Sequence, residues 1–259
     1  DESIDVIGIY TPDQLHLLYE GLWKEKLVFT GGAITIVAAI MNSINGFSYV
    51  YSRKKVDFYH SLPVKRSRMF WNRVYTGLLY YLVPYMIMEF FAVCIGAAKG
   101  FFSLKLMELA ARLLLVHLLL YFLFYFSIVL VFCVTGNFLM GVLCLAGMQL
   151  YGPALGILMS FCAYGFFDTF SSNYPYGIFK ALEDYASPIT LTAAFWQKYE
   201  AGQGAALAAV LFVLTLIFTA VSYFAYIHRP SEAAGKPMVY GKLAAVIKFM
   251  VVVPCGMGT

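Results

Sequence analysis

The densest chemistry in the chain lies at residues 51–73, YSRKKVDFYHSLPVKRSRMFWNR. Seven of its 18 Lys and Arg are here: Arg53, Lys54, Lys55, Lys65, Arg66, Arg68 and Arg73. Basic residues in a short loop between apolar runs are retained on the cytoplasmic side of a membrane, so this loop orients the chain. It also holds Asp57, Phe58, Tyr59, His60, Leu62 and Pro63, more than a retention signal needs. Two short amphipathic helices are expected, Tyr51–His60 and Leu62–Arg73, the second with Ser61 as N-cap and Pro63 near its first position. A rigid, capped helix joined to a span on either side is suited to docking a cytosolic partner and passing on its displacement. A basic stretch lying on anionic lipid, at about 1 kcal/mol per Lys or Arg, explains the same composition.

A second group lies inside the apolar runs. Glu89 is a carboxylate within a span, where a charge costs about 2.5–3.5 kcal/mol near the centre. His117 comes at comparable depth in the next span, with Arg112 nearer that span's end. Glu89 pairs with either, or stays protonated towards a cavity; a structural pair and a substrate or proton contact are both open. The P-loop, HExxH, CxxC, GxSxG and EF-hand patterns do not occur, so no cofactor or metal is indicated and no catalytic residue is assigned. Cys94, Cys133, Cys144, Cys162 and Cys255 all fall in apolar runs and read as small hydrophobes.

These residues must be positioned by membrane helices. Hydrophobic residues make up 61% of the 259 and charged ones 12%, half the charge of an ordinary soluble domain. Full spans are expected at about 27–50, 74–97, 109–135, 138–166 and 205–227, with a partial one at 244–259. Each full run is long enough to cross about 30 Å at about 1.5 Å per residue, and only helices satisfy their own backbone there. The fold class is therefore an all-α polytopic membrane helix bundle, one transmembrane domain over 1–259. The net charge of +4 lies at membrane boundaries and gives no reason to expect nucleic acid. With 51–73 and 228–243 cytoplasmic, residues 1–26, 98–108 and 167–204 fall outside. Lys24, Lys26, Lys99 and Lys105 then sit against the rule. The outer loop 167–204 is expected to form short helices at the interface, where its aromatics prefer to lie. Gly152–Pro153 marks either a hinge or close packing within the fourth span. Both ends of the chain read as incomplete, with one span expected before Asp1 and others after Thr259.

The string DFYHSLPVKRSRMF, followed by an aromatic-rich span, resembles the inner loop of a group of Gram-positive type-2 ATP-binding-cassette (ABC) permeases. The segment Arg229–Gly235, RPSEAAG, is similar to that group's second inner loop, and the hydropathy between the two fits. The resemblance implies a permease subunit of an ATP-driven exporter, itself no ATPase. Its implied partners are separate cytosolic ATPase subunits and a second permease chain, identical or related, within the lipid bilayer of the cell membrane. It implies ATPase contacts at Asp57, Phe58, His60, Leu62, Pro63, Lys65 and Arg66, with Arg229 and Glu232 as a further contact. Peptides, lipids or antibiotics are the implied cargo. Two other readings stay open on the residues: a membrane-embedded enzyme built on Glu89, Arg112 and His117, and a non-transporting scaffold or sensor.

Overall fold

In the computed structural model the described residues are 28–98, 104–166, 177–200 and 202–241, with isolated positions 21 and 256. The expectations for the polar start and for the partial run 244–259 fall outside them. The helices run α1 Val28–Phe47, α2 Arg53–Ser61, α3 Arg66–Ala98, α4 Leu104–Val134, α5 Phe138–Phe166, α6 Gly177–Tyr185, α7 Pro188–Glu200 and α8 Ala205–Ile227. A 3₁₀ turn, Ser48–Tyr51, links α1 to α2, and another, Ser231–Ala233, follows α8. No strand occurs among the described residues, only an isolated antiparallel bridge between Thr135 and Met238. Five helices, α1 (with its 3₁₀ turn), α3, α4, α5 and α8, are long and apolar enough to cross a membrane.

Helix α4 is the centre of the bundle. In its most apolar window 61% of residues are buried, against 6% in α3 and in α5. Its LLLYFLFYFSIVLVF run is bulky on all sides, and the neighbours meet it with small residues. Gly77 of α3 admits the Tyr125 ring and Gly31 of α1 the His117 ring; a methyl at either would come within 3.0 Å of that ring. Phe47 of α1, Phe70 of α3, Tyr125 of α4 and Tyr226 of α8 meet in one aromatic cluster. Phe47 lies 5.7, 6.3 and 5.9 Å from the other three ring centroids. Edge contacts of this kind add about 0.5–1.5 kcal/mol each beyond burial.

The segment 51–73 differs from expectation in its second half. Helix α2 forms, but Ser61 is its last residue, and its hydroxyl donates back to the Phe58 carbonyl at 2.8 Å. Ser61 is therefore no N-cap. Pro63 falls in the turn, and Arg66–Arg73 belongs to α3, which continues unbroken into the span. The physical reason is the buried stripe Phe70, Val74, Gly77, Tyr81, whose i, i+4, i+7, i+11 spacing extends one helical face across the expected boundary.

The segment 177–200 also departs from expectation. Its two short helices do not lie flat across the end of the bundle. Gly156 of α5 faces the backbone of Phe179 and Glu183, and Gly152 faces Ala186, so α6 runs antiparallel down α5. Gly152 is the midpoint of α5, and there the chain turns through buried Ser187 and Pro188. Helix α7 then climbs back, burying Leu191 and Phe195 and placing Trp196 against Gly32. Glycines at 152 and 156 make that close approach possible, so the small residues of α5 serve packing. A Cβ on Gly156 would lie 2.9 Å from the Glu183 nitrogen and 3.0 Å from the Phe179 oxygen, both backbone atoms. Gly156→Val is expected to cost about 1–3 kcal/mol by overpacking, read as a lower unfolding midpoint in detergent and faster proteolysis of 167–204. Gly147→Ala, whose methyl would meet nothing within 4 Å, should leave both unchanged.

Candidate functional site

Helices α1, α4 and α8 all end at the basic end of the bundle, each leaving carbonyls without an intrahelical partner. Arginines fill these positions. Arg229 is 6% exposed; its Nη1 donates to the carbonyls of Phe132, Cys133 and Thr135 at 2.8, 2.7 and 2.8 Å, and its Nη2 to Val50 at 3.1 Å. One side chain thus closes the end of α4 and ties it to the turn after α1. Arg66 Nη1 donates to the carbonyls of Ile227 and Arg229 at 3.1 and 2.8 Å, closing α8. Arg73 Nη1 donates to Gly46, closing α1, while its guanidinium lies 4.0 and 4.6 Å from the centroids of the Tyr49 and Tyr59 rings. Arg53 Nε donates to Ala234 at 3.0 Å. A cation at a helix C-terminus also meets the negative end of the macrodipole, a gain of about 0.3–2 kcal/mol. The burial of Arg229 pulls its pKa below the usual arginine value; the carbonyl oxygens accept its N–H groups in place of water.

The segment after α8 folds back over the α4–α5 turn to complete this end. Gly235 N donates to the Gly136 carbonyl at 2.7 Å, Val239 N to Val134 at 2.9 Å, and Tyr240 Oη to Ala225 at 3.1 Å. Gly235 adopts φ +88°, and a Cβ on Gly136 would sit 2.2 Å from the Ala233 oxygen, so both positions require glycine. Tyr49 and Tyr226 share a hydroxyl hydrogen bond of 2.6 Å, and Tyr51 and Thr135 one of 2.8 Å.

What this framework displays is α2 and the turn after it. Val56 is buried and Tyr59 packs at 4.8 Å on Tyr49, fixing one face. On the other, Asp57, Pro63 and Lys65 are exposed, with Phe58 62%, Leu62 39% and Val64 39% exposed. Glu232 is exposed on the 3₁₀ turn that packs beside α2, so the two segments RKKVDFYHS and RPSEAAG form one surface. His60 is half-buried at its edge. Burial first, and then the Arg66 cation, hold its pKa below the usual imidazole value, against the opposing pull of Asp57. Arg66 and Arg229, two of the residues expected on this surface, are turned into the framework beneath it. Arg53 and Arg73, counted among the basic residues of the loop, carry no expected contact of their own; for Arg73 the signal is its spacing from Arg66 and Phe70 on one face of α3.

The intramembrane trio does not converge. Arg112 pairs with Glu108 one turn away on the exposed face of α4. His117 Nδ1 hydrogen-bonds the Tyr85 hydroxyl at 2.9 Å. Among the described residues Glu89 has no hydrogen bond or ion pair, so neither expected pairing forms; it projects half-buried from α3, one turn beyond Tyr85. Below it runs a polar seam missed in the sequence. Thr35 meets the Tyr81 hydroxyl at 2.8 Å, Tyr81 stacks on Tyr121 at 4.3 Å, and Asn42 and Tyr121 both donate to the Gly77 carbonyl. No group of three or more His, Cys, Asp or Glu able to hold a metal ion occurs among the described residues.

Compared with known proteins, the chain matches no family model, no curated protein and no solved structure.

Replacing Arg229 by Met strands the carbonyls of four residues in a buried site, and a loss of about 3 kcal/mol is expected from charge-assisted bonds of this kind. Arg229→Lys restores the charge but not the planar fork and should recover only part of the midpoint in detergent unfolding. For His60 the folded pKa is lowered, so the folded state binds fewer protons than the unfolded state between that pKa and about 6.5. Stability should therefore rise with pH across that window and fall on acidification through it. His60→Gln should flatten this part of the unfolding-midpoint profile.

Proposed function

We propose that the chain is the permease subunit of an ATP-driven ABC exporter of the type-2 group. The spans of this chain and of a second permease chain form the cargo path, and ATP is hydrolysed on separate cytosolic subunits. The arginine-rich end faces the cytoplasm, in line with the retention of basic loops on that side. The observation that carries the reading is the mounting of α2. The short helix α2, with its exposed Phe58–Lys65 surface, donates from Arg53 to Ala234 and lays Tyr59 against the Arg73 guanidinium, while Arg73, Arg66 and Arg229 hold the ends of α1, α8 and α4. An ATPase subunit that closes against α2 displaces the helix ends with it, because the side chains between them are hydrogen-bonded rather than free. Asp57, Phe58, His60, Leu62, Pro63, Lys65 and Glu232 form the contact; Arg66 and Arg229 transmit it.

The hairpin α6–α7 fits the same reading from the opposite end. It occupies the flank of α5 down to its midpoint, and Lys180 and Asp184, paired at 3.2 Å, give that flank polar groups. Export of an amphipathic cargo, such as a peptide, a lipid or an antibiotic, accords with the mixed aromatic and polar seam among α1, α3 and α4.

The test is purification of the full-length protein in mild detergent with its neighbours co-expressed. An ATPase subunit is expected to co-purify with the wild type, and Phe58→Ala/Lys65→Glu should reduce its recovery at least about tenfold, as loss of a hot-spot aromatic and a reversed charge does. The unfolding midpoint of that variant should stay at the wild-type value. Arg66→Ala should instead lower the midpoint, since its bonds are internal. Purification of the wild type without any ATPase subunit would sink the proposal.

A further inference from the structure

Not all the basic residues of the loop are committed to carbonyls. Among the described residues the side chains of Lys65 and Arg68 have no hydrogen-bond or ion-pair partner, and both residues are exposed. They border an open, shallow groove lined by Lys65, Ser67, Arg68, Trp71, Asn72 and Tyr75. Lys65, Arg68, Asn72 and Tyr75 repeat at three- and four-residue intervals and so share one face leading into α3. Ser67 is held by the Tyr223 hydroxyl at 3.0 Å, and the Trp71 ring leans on Tyr223 at 6.1 Å, so α8 supports the groove from behind. Beyond Tyr75 the same face continues through Leu79 and Met86, 57% and 47% exposed.

Along this face the order is two cations, then an amide and amphipathic rings, then exposed aliphatic side chains. A phospholipid presents a phosphate, ester groups and an acyl chain in that order. Trp and Tyr favour the level of the headgroups, and cations attract anionic lipid most strongly within a Debye length of the surface. A diffuse basic patch lacks the groove and the graded order. We propose that the groove holds an anionic phospholipid of the leaflet at the arginine-rich end, its phosphate between Lys65 and Arg68 and an acyl chain along Tyr75 and Leu79. The groove shares Lys65 with the proposed ATPase contact, but its other lining residues, Ser67, Arg68, Trp71, Asn72 and Tyr75, lie outside that contact, and the lipid test below needs no ATPase subunit.

The experiment reconstitutes the full-length protein in phosphatidylcholine vesicles with a minor fraction of phosphatidylglycerol. Bromine atoms that quench indole fluorescence are carried on the acyl chains of one lipid or the other, at equal mole fraction. The contribution of Trp71 is the difference between the wild type and Trp71→Phe. Its quenching is expected to be about threefold stronger from brominated phosphatidylglycerol, in keeping with the attraction of cations for anionic lipid. Lys65→Gln/Arg68→Gln should abolish the preference, while Lys54→Gln/Lys55→Gln, an equal loss of charge away from the groove, should retain it. Equal quenching by both lipids in the wild type would overturn the proposal. So would equal loss in the two double variants, the mark of a diffuse field. Displacement by inorganic phosphate at matched ionic strength would reassign the groove to free phosphate and overturn the lipid; an unchanged preference supports it.

Discussion

Helix C-termini gathered at one end of a bundle are an electrostatic and hydrogen-bonding problem, and this protein meets it with arginine. Three helices present unpaired carbonyls and the negative ends of their dipoles within a few ångströms of one another. Water satisfies such groups on an open surface but not beneath α2 and the 229–240 segment. The guanidinium of Arg229 reaches four carbonyls on two elements at once, which no other side chain could do with fixed geometry. These bonds join the end of α4 to the turn after α1, while Arg53 ties α2 to the segment after α8 and backbone bonds tie that segment to the α4–α5 turn.

Rigidity at that end contrasts with looser cover along α3 and α5. Helix α4 is enclosed by α1, α8 and α7, whereas α3 and α5 keep long exposed apolar faces. Lipid or a further chain suits such faces. The aromatic cluster of Phe47, Phe70, Tyr125 and Tyr226 lies directly inside the arginine layer, so apolar packing and carbonyl pairing reinforce the same junction. At the opposite side of the molecule the α6–α7 hairpin gains its position from two glycines of α5 instead of from charge.

Charge in this chain therefore has two uses that composition does not distinguish. Arg53, Arg66, Arg73 and Arg229 are structural, holding helix ends; Lys65 and Arg68 are left for outside ligands. The difference lies in reach. Arg66 and Arg73, seven residues apart, share the buried face of α3 with Phe70, while Arg68 lies on the face that the bundle leaves open.

The sequence by itself determined the all-α class, the five apolar helices and a short helix within 51–60, found at 53–61, because hydropathy and helical period are local quantities read within one segment. Only the tertiary structure decided that Arg66–Arg73 continues α3, that Arg229 is buried, that Glu89 meets neither Arg112 nor His117, and that 177–200 turns beside the midpoint of α5. Each of these depends on partners far away in the chain. The carbonyls of Arg229 lie up to 179 positions from it, and the hairpin's depth is set by glycines on another helix. A side chain's acceptors, and the space a missing Cβ leaves for a neighbour, exist only once the helices have packed.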